Sequence, residues 1–186
     1  MEKTRKILDT ALRLFVEFGF HGTPTSKIAA EAGVANGTLF NKFATKDDLI
    51  IALYVDITTR MGQYVAENSS LELPLKEAMK GYFLATLYWA LDNKQEFRFI
   101  QQFKASPFIS LIPPEELEKS YKPFHDMLGR GIDEHLFKSL PPDYLSMMII
   151  SHTYGLNEYL TKNEFPKAKQ HVIISDSFEL LWKMIT

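Results

Sequence analysis

The sequence predicts an all-α protein of about nine helices. Apolar residues recur three and four apart through most of its length, and no alternating strand pattern of useful length interrupts them. Helix breakers gather between the periodic runs, at Asn68–Ser70, Asp92–Asn93, Ser106–Pro107, Pro113–Pro114, Pro141–Pro142 and Glu164–Pro166. There is no internal repeat and no low-complexity tract, and 186 residues suffice to bury a sizeable core.

The first helix is expected over Thr4 to Phe18, where Ile7, Leu8, Ala11, Leu14, Phe15 and Phe18 fall at helical spacing and Gly19 supplies a stop. Thr23 is a good N-cap and Pro24 suits a first helical position, so a second helix should run to about Ala32. Ile28, Ala29 and Ala32 give it an apolar stripe. Gly33 then allows the positive φ of a sharp turn, and Val34 plugs the angle between two crossing helices. A third helix is expected from about Asn36 to Phe43, with Leu39, Phe40 and Phe43 turned inward and a short polar face left open. This is the layout of a helix-turn-helix, in which the start of the second helix of the pair reaches base edges while the first crosses the backbone.

Position assigns the contacts. Thr25, Ser26 and Lys27 should touch phosphates or a neighbouring base, Asn36, Gly37, Thr38 and Asn41 should face base edges, and Lys42 and Lys46 should meet phosphate. Charge agrees with this orientation. Residues 1–46 carry seven Lys/Arg against four acids, a net +3, while the remainder carries −5.

Thr45 can cap a fourth helix from roughly Lys46 to Asn68, with Asp47 and Asp48 in its first turn opposite the positive end of the helix dipole. Its length makes it the mechanical link between a helix-turn-helix domain over 1–46 and a larger helical domain over 47–186. Further helices are expected at about 74–92, 94–105, 114–138, 142–163 and 166–185. The last two are apolar on more than one face, which implies burial on two sides. A partner copy of the chain is the simplest second surface, with Ser151, Gly155, Phe178, Leu181 and Trp182 at a four-helix interface.

Several classes of chemistry are missing. There is no cysteine, hence no disulfide, thiolate or Cys-ligated zinc. None of His21, His125, His135, His152 and His171 has the helical spacing of a metal pair, and neither a nucleophile elbow nor a phosphate loop occurs. No catalytic residue, metal or cofactor is expected. With no run of about twenty apolar residues and no basic leader before an apolar stretch, the protein is expected to be cytoplasmic and free of the membrane.

The stretch from Ile28 to Leu49 resembles the TetR family of bacterial transcription regulators, whose signature runs roughly I-A-x-x-A-G-V-S-x-G-T-L-Y-x-x-F-x-x-K-x-x-L. Ile28, Ala29, Ala32, Gly33, Val34, Gly37, Thr38, Leu39, Phe43, Lys46 and Leu49 match it without a gap. Phe40, which the resemblance places in the DNA-binding set, replaces the usual tyrosine and has no hydroxyl for a phosphate, although its ring can fill the same packing site; Ala35 replaces the usual serine. The resemblance implies dimerisation through the last helices, binding of palindromic operator DNA, and an effector site in the larger domain. Aromatic enrichment between Tyr82 and Leu128 suits such a site for a lipophilic small molecule. Its expected lining is Phe83, Leu87, Phe103, Phe124 and Leu128, with Gln101, His125 and His152 as polar contacts. The rival reading is a helical ligand-binding protein or enzyme whose N-terminal hairpin is purely structural.

Overall fold

The computed structural model describes residues 2–186, without the side chains at 119 and 120. Its helices are α1 (Glu2–Phe18), α2 (Thr25–Glu31), α3 (Asn36–Phe40), α4 (Lys46–Asn68), α5 (Leu75–Asp92), α6 (Lys94–Lys104), α7 (Pro114–Asp133), α8 (Pro142–Asn163) and α9 (Lys167–Ile185), with a 3-10 turn over Pro107–Leu111. No strand occurs among the described residues. The all-α architecture predicted by the periodicity is the one observed.

By packing, the chain divides into two compact units, Met1–Arg60 with Asn93–Leu117 and Met61–Asp92 with Glu118–Thr186. This division differs from a boundary after Lys46, for a reason visible in the first unit. The N-terminal half of α4 buries Leu49, Ile50, Leu53, Tyr54 and Ile57 there, and α6 buries Phe97, Phe99, Ile100 and Phe103. Each such side chain removed from water contributes about 1.5–3 kcal/mol, so these segments hold to the helix-turn-helix core rather than apart from it. Phe20 joins them, its ring 5.5 Å from Phe15, 5.6 Å from Phe99 and 5.1 Å from Phe108. At the rim, Asp56 of α4 takes Arg5 of α1 and Arg60 of its own helix, each at 3.1 Å, and Arg60 reaches Glu96 of α6 at 3.7 Å.

The second unit packs α5 against α8 and α9 around Leu75, Met79, Phe83, Leu87, Leu145, Ile149, Ile174 and Phe178, with Phe124, Met127 and Leu128 of α7 in the same core. α7 stops at Asp133, short of the expected 138. The chain turns back through His135 in the left-handed region (φ 54°), and Phe137 lies over Gly131, where a Cβ would sit 2.0 Å from its ring. Any larger residue at 131 would require the Phe137 ring to move. α8 ends at a left-handed Glu164 (φ 45°), after which Pro166 starts the last helix.

Candidate nucleic-acid interface

The turn between α2 and α3 is built by backbone hydrogen bonding. Gly33 sits at φ +68°, its N–H donates to Ala30 O at 3.2 Å, and the Val34 N–H donates to Ala29 O at 3.0 Å. That pair of bonds is a Schellman closure, which satisfies the last carbonyls of α2 and requires the left-handed conformation glycine supplies. α3 proper ends at Phe40, three residues before the expected Phe43. Helical bonds nonetheless continue from Asn41 to Gly37 and from Phe43 to Leu39, each 2.9 Å, so the coil reaches Phe43 as turns. Neither short helix has a side-chain cap, and Pro24 and Ala35 occupy the cap positions.

Thr23 therefore does not cap α2. It is fully buried, and its hydroxyl lies 3.1 Å from Leu14 O and 2.8 Å from Gly19 O, fastening the end of α1 to the entrance of the hairpin. The next cap follows the sequence pattern. Thr45 Oγ1 accepts from the Asp48 N–H at 3.1 Å, Asp48 Oδ2 accepts from the Thr45 N–H at 3.0 Å, and α4 starts from this reciprocal box.

Leu39 and Phe43 anchor the coil in the core, leaving Asn36, Gly37, Asn41 and Lys42 exposed and Thr38 half-buried. Phe40 departs from the inward stripe expected of it: it is 45% exposed, on the open side with Asn41. A Cβ built at Gly37 meets nothing within 4 Å, and its φ is not in the left-handed region, so the chain's own packing does not demand glycine there. The bare backbone leaves room for close approach from outside.

On α2, Ser26 is exposed and Thr25 half-buried, while the Lys27 ammonium stands 3.7 Å from the Phe18 ring centroid. Arg13 of α1 clasps Glu31 at the far end of α2. Lys46, half-buried at the start of α4, has its ammonium pKa lowered by burial, with the Asp47 carboxylate opposing the shift.

Residues 7–53 match the family model for bacterial regulatory proteins of the tetR family. A crystal structure described as a tetR family transcription regulator from Shewanella sp. PV-4 superposes with a TM-score of 0.88 at 28% identity, covering 98% of this chain and 97% of that one. The helix-turn-helix thus carries the tetR family pattern, and the fold of the whole chain is that of a tetR family regulator. The Bacillus subtilis fatty acid metabolism regulator protein is 40% identical over 63 residues, 34% of this chain and 31% of that protein. The transcriptional repressor KstR2 of Mycobacterium tuberculosis is 26% identical over 141 residues, 72% of this chain and 68% of that protein. The first of these curated relatives is thus matched over about a third of its length.

The residues expected to line an effector site do not come together as one set. Phe83, Leu87, Phe124 and Leu128 share the core of the second unit, and half-buried His152 stacks on Phe83 with ring centroids 6.0 Å apart. Phe103 and Gln101 belong to the first unit, where Phe103 is fully buried beneath Tyr54. Position in the sequence placed them near the others because α6 follows α5 directly; tertiary packing separates them. His125 is exposed on α7, beside Tyr121.

The residues expected at a dimer interface divide as well. Ser151 and Gly155 are exposed on α8, but Phe178 and Leu181 are 1% exposed, inside the monomer core, with Trp182 half-buried against Phe178 and Phe137. The open apolar residues of these helices are instead Tyr144, Met147 and Tyr159 on α8 and Val172, Leu180 and Met184 on α9. The signal was in the sequence: Tyr144, Met147, Ser151 and Gly155 are spaced three and four apart, and Val172, Asp176, Leu180 and Met184 four apart. Two stripes on one helix do not reveal by themselves which faces the core.

Proposed function

We propose that this chain is a DNA-binding transcription regulator that acts as a homodimer on a palindromic operator and is released by a small lipophilic effector. The observation that carries this reading is the α2–α3 hairpin. A Schellman turn and two buried anchors, Leu39 and Phe43, present Asn36, Gly37, Thr38, Phe40, Asn41 and Lys42 on one open face, and Lys46 stands at the start of the next helix. A two-fold dimer would offer two such faces to half-sites about one DNA turn apart. The exposed stripes through Met147 and Gly155 on α8 and Leu180 and Met184 on α9 are the surface for that pairing. Burying apolar residues such as these favours association. No helix among the described residues is long and apolar enough to cross a membrane.

The test is selection of bound sites from a random duplex pool, followed by affinity measurements at several salt concentrations. The reading requires enrichment of an inverted repeat and a linear fall of log affinity with log salt. Absence of salt-dependent duplex binding would favour the rival, a helical ligand-binding protein with a structural hairpin.

A further inference from the structure

α5 and α8 run in the same direction through the second unit. α5 is antiparallel to α9, since Lys80 bonds Glu179 at 2.8 Å, the Phe83 and Phe178 rings lie 5.7 Å apart, and Tyr88 bonds His171. α8 is antiparallel to α9 in turn, because it returns through Pro166 and its His152 lies 2.7 Å from Ser177 Oγ. The Phe83–His152 stack fixes the level between α5 and α8. Thr86 follows three residues after Phe83 and Asn157 five after His152, roughly 4.5 Å and 7.5 Å along their helices, which brings them to about the same level.

These two side chains are each 8% exposed, and Thr86 Oγ1 and Asn157 Nδ2 have no hydrogen-bond partner among the described residues. Thr153, on the same buried stripe of α8, shows the ordinary outlet for a helical hydroxyl, donating to Ile149 O at 2.8 Å. Thr86 does not take it. Two orphaned polar groups at about one level of a largely apolar bundle destabilise the free protein and suit a ligand that satisfies both. The core of this unit is hydrocarbon and aromatic, including Phe83, Leu87, Phe124 and Leu128. No described Lys, Arg, Asp or Glu of this unit is buried, so a charged head placed there would have no countercharge.

We propose that Thr86 and Asn157 form the polar end of the effector site, and that the site takes an uncharged amphiphile bearing a carbonyl or hydroxyl. The Asn157 amide donates to the ligand oxygen, the Thr86 hydroxyl donates or accepts beside it, and the apolar body lies against Phe83, Leu87, Phe124 and Leu128. This rests on the effector reading above and narrows its class from any lipophilic molecule to one with a neutral polar head.

Four probes with the same chain and different heads test it: octanamide, 1-octanol, octanoate and octylammonium, each titrated into the full-length protein by calorimetry and thermal melting. Octanamide and 1-octanol are expected to bind and raise the melting temperature, with octanoate and octylammonium at least tenfold weaker. Thr86→Val and Asn157→Leu are expected to weaken octanamide binding at least tenfold while leaving the free protein as stable as the parent or more so, and Thr86→Ser, which keeps the hydroxyl, retains binding. Octanoate binding as tightly as octanamide, binding of none of the four, or Thr86→Val and Asn157→Leu both without effect on octanamide would each overturn the subsite. A fall in the free protein's melting temperature in both variants would do so too, because it would mean the groups are already satisfied. Operator binding separates this from the broader reading. Octanoate that releases DNA from Thr86→Val as well as from the parent would keep the effector reading and discard the subsite, whereas octanamide bound through Thr86 with operator affinity unchanged would keep the subsite and discard the effector reading.

Discussion

The Tyr54 and Phe103 rings stack with centroids 4.0 Å apart and 15° between their planes, joining the N-terminal half of α4 to α6. Both are at most 2% exposed, and their stacking ties the helix that follows the DNA-binding hairpin into the same core as the hairpin. Truncating Phe103 to alanine removes a fully buried aromatic ring and is expected to cost about 3–5 kcal/mol, read as a lower urea midpoint. Phe83→Ala should lower stability too, but it should also reduce the melting shift produced by a bound effector. Loss of that shift in Phe103→Ala to the same degree would return Phe103 to the effector site.

Thr23 makes a smaller and more specific contribution. Thr23→Val keeps the shape but strips the hydroxyl from the buried carbonyls of Leu14 and Gly19. A loss of about 1–3 kcal/mol is expected in equilibrium unfolding. A neutral effect would mean that water or another donor reaches those carbonyls.

For DNA, Lys42→Ala and Lys46→Ala should each weaken binding to all sequences alike and reduce the salt slope by about one for each phosphate left without its lysine. Substituting Thr38 or Asn41 should cost about 1–3 kcal/mol on the selected operator and relax preference at particular base pairs. Because the Phe40 ring stands exposed beside Asn41, Phe40→Tyr is expected to tighten binding by about 0.5–1.5 kcal/mol through a phosphate hydrogen bond. No change in the salt slope of either lysine variant would remove the phosphate assignment.

The apolar faces of α8 and α9 make a paired prediction. Leu180 is 66% exposed and Leu181 only 1%. Leu180→Glu or Gly155→Arg should give folded monomers in sedimentation, with operator affinity collapsing because two recognition helices are no longer held roughly 34–36 Å apart. Leu181→Glu places a charge in the core and should unfold the second unit instead. A dimer that survives Leu180→Glu unchanged would move the interface elsewhere.

Burial holds the His152 imidazole pKa below its ordinary value, opposed by the hydrogen bond with Ser177. The folded state therefore resists a proton that the unfolded chain accepts. Stability should be complete above the unfolded pKa, roughly 6.5, and should fall as the pH drops below it until the lower folded pKa is passed. His152→Gln is expected to flatten that part of the stability–pH curve in denaturant titrations; a curve identical to the parent's would show that other groups govern it.

Sequence alone determined the helical class, the ends of several helices and the glycine turn between α2 and α3, because these depend on neighbours within one or two turns. Thr45 as a cap, the glycine at position 33 and the inward Leu39 are local devices, and each works in the structure as its spacing implied, whereas the return bond from Asp48 to the Thr45 N–H came only with the structure. Tertiary structure decided which of several apolar stripes is core. Phe40 and Phe43 are three apart, yet one is exposed and the other buried; Leu180 and Leu181 are adjacent and differ in the same way. It also decided that Phe103 keeps company with Tyr54 rather than Phe83, that Thr23 bonds α1 instead of capping α2, and that Thr86 and Asn157 are left without partners inside an apolar bundle. Helical periodicity says that a face will be covered, since exposed apolar area is unfavourable, but the identity of the covering surface depends on residues far away along the chain.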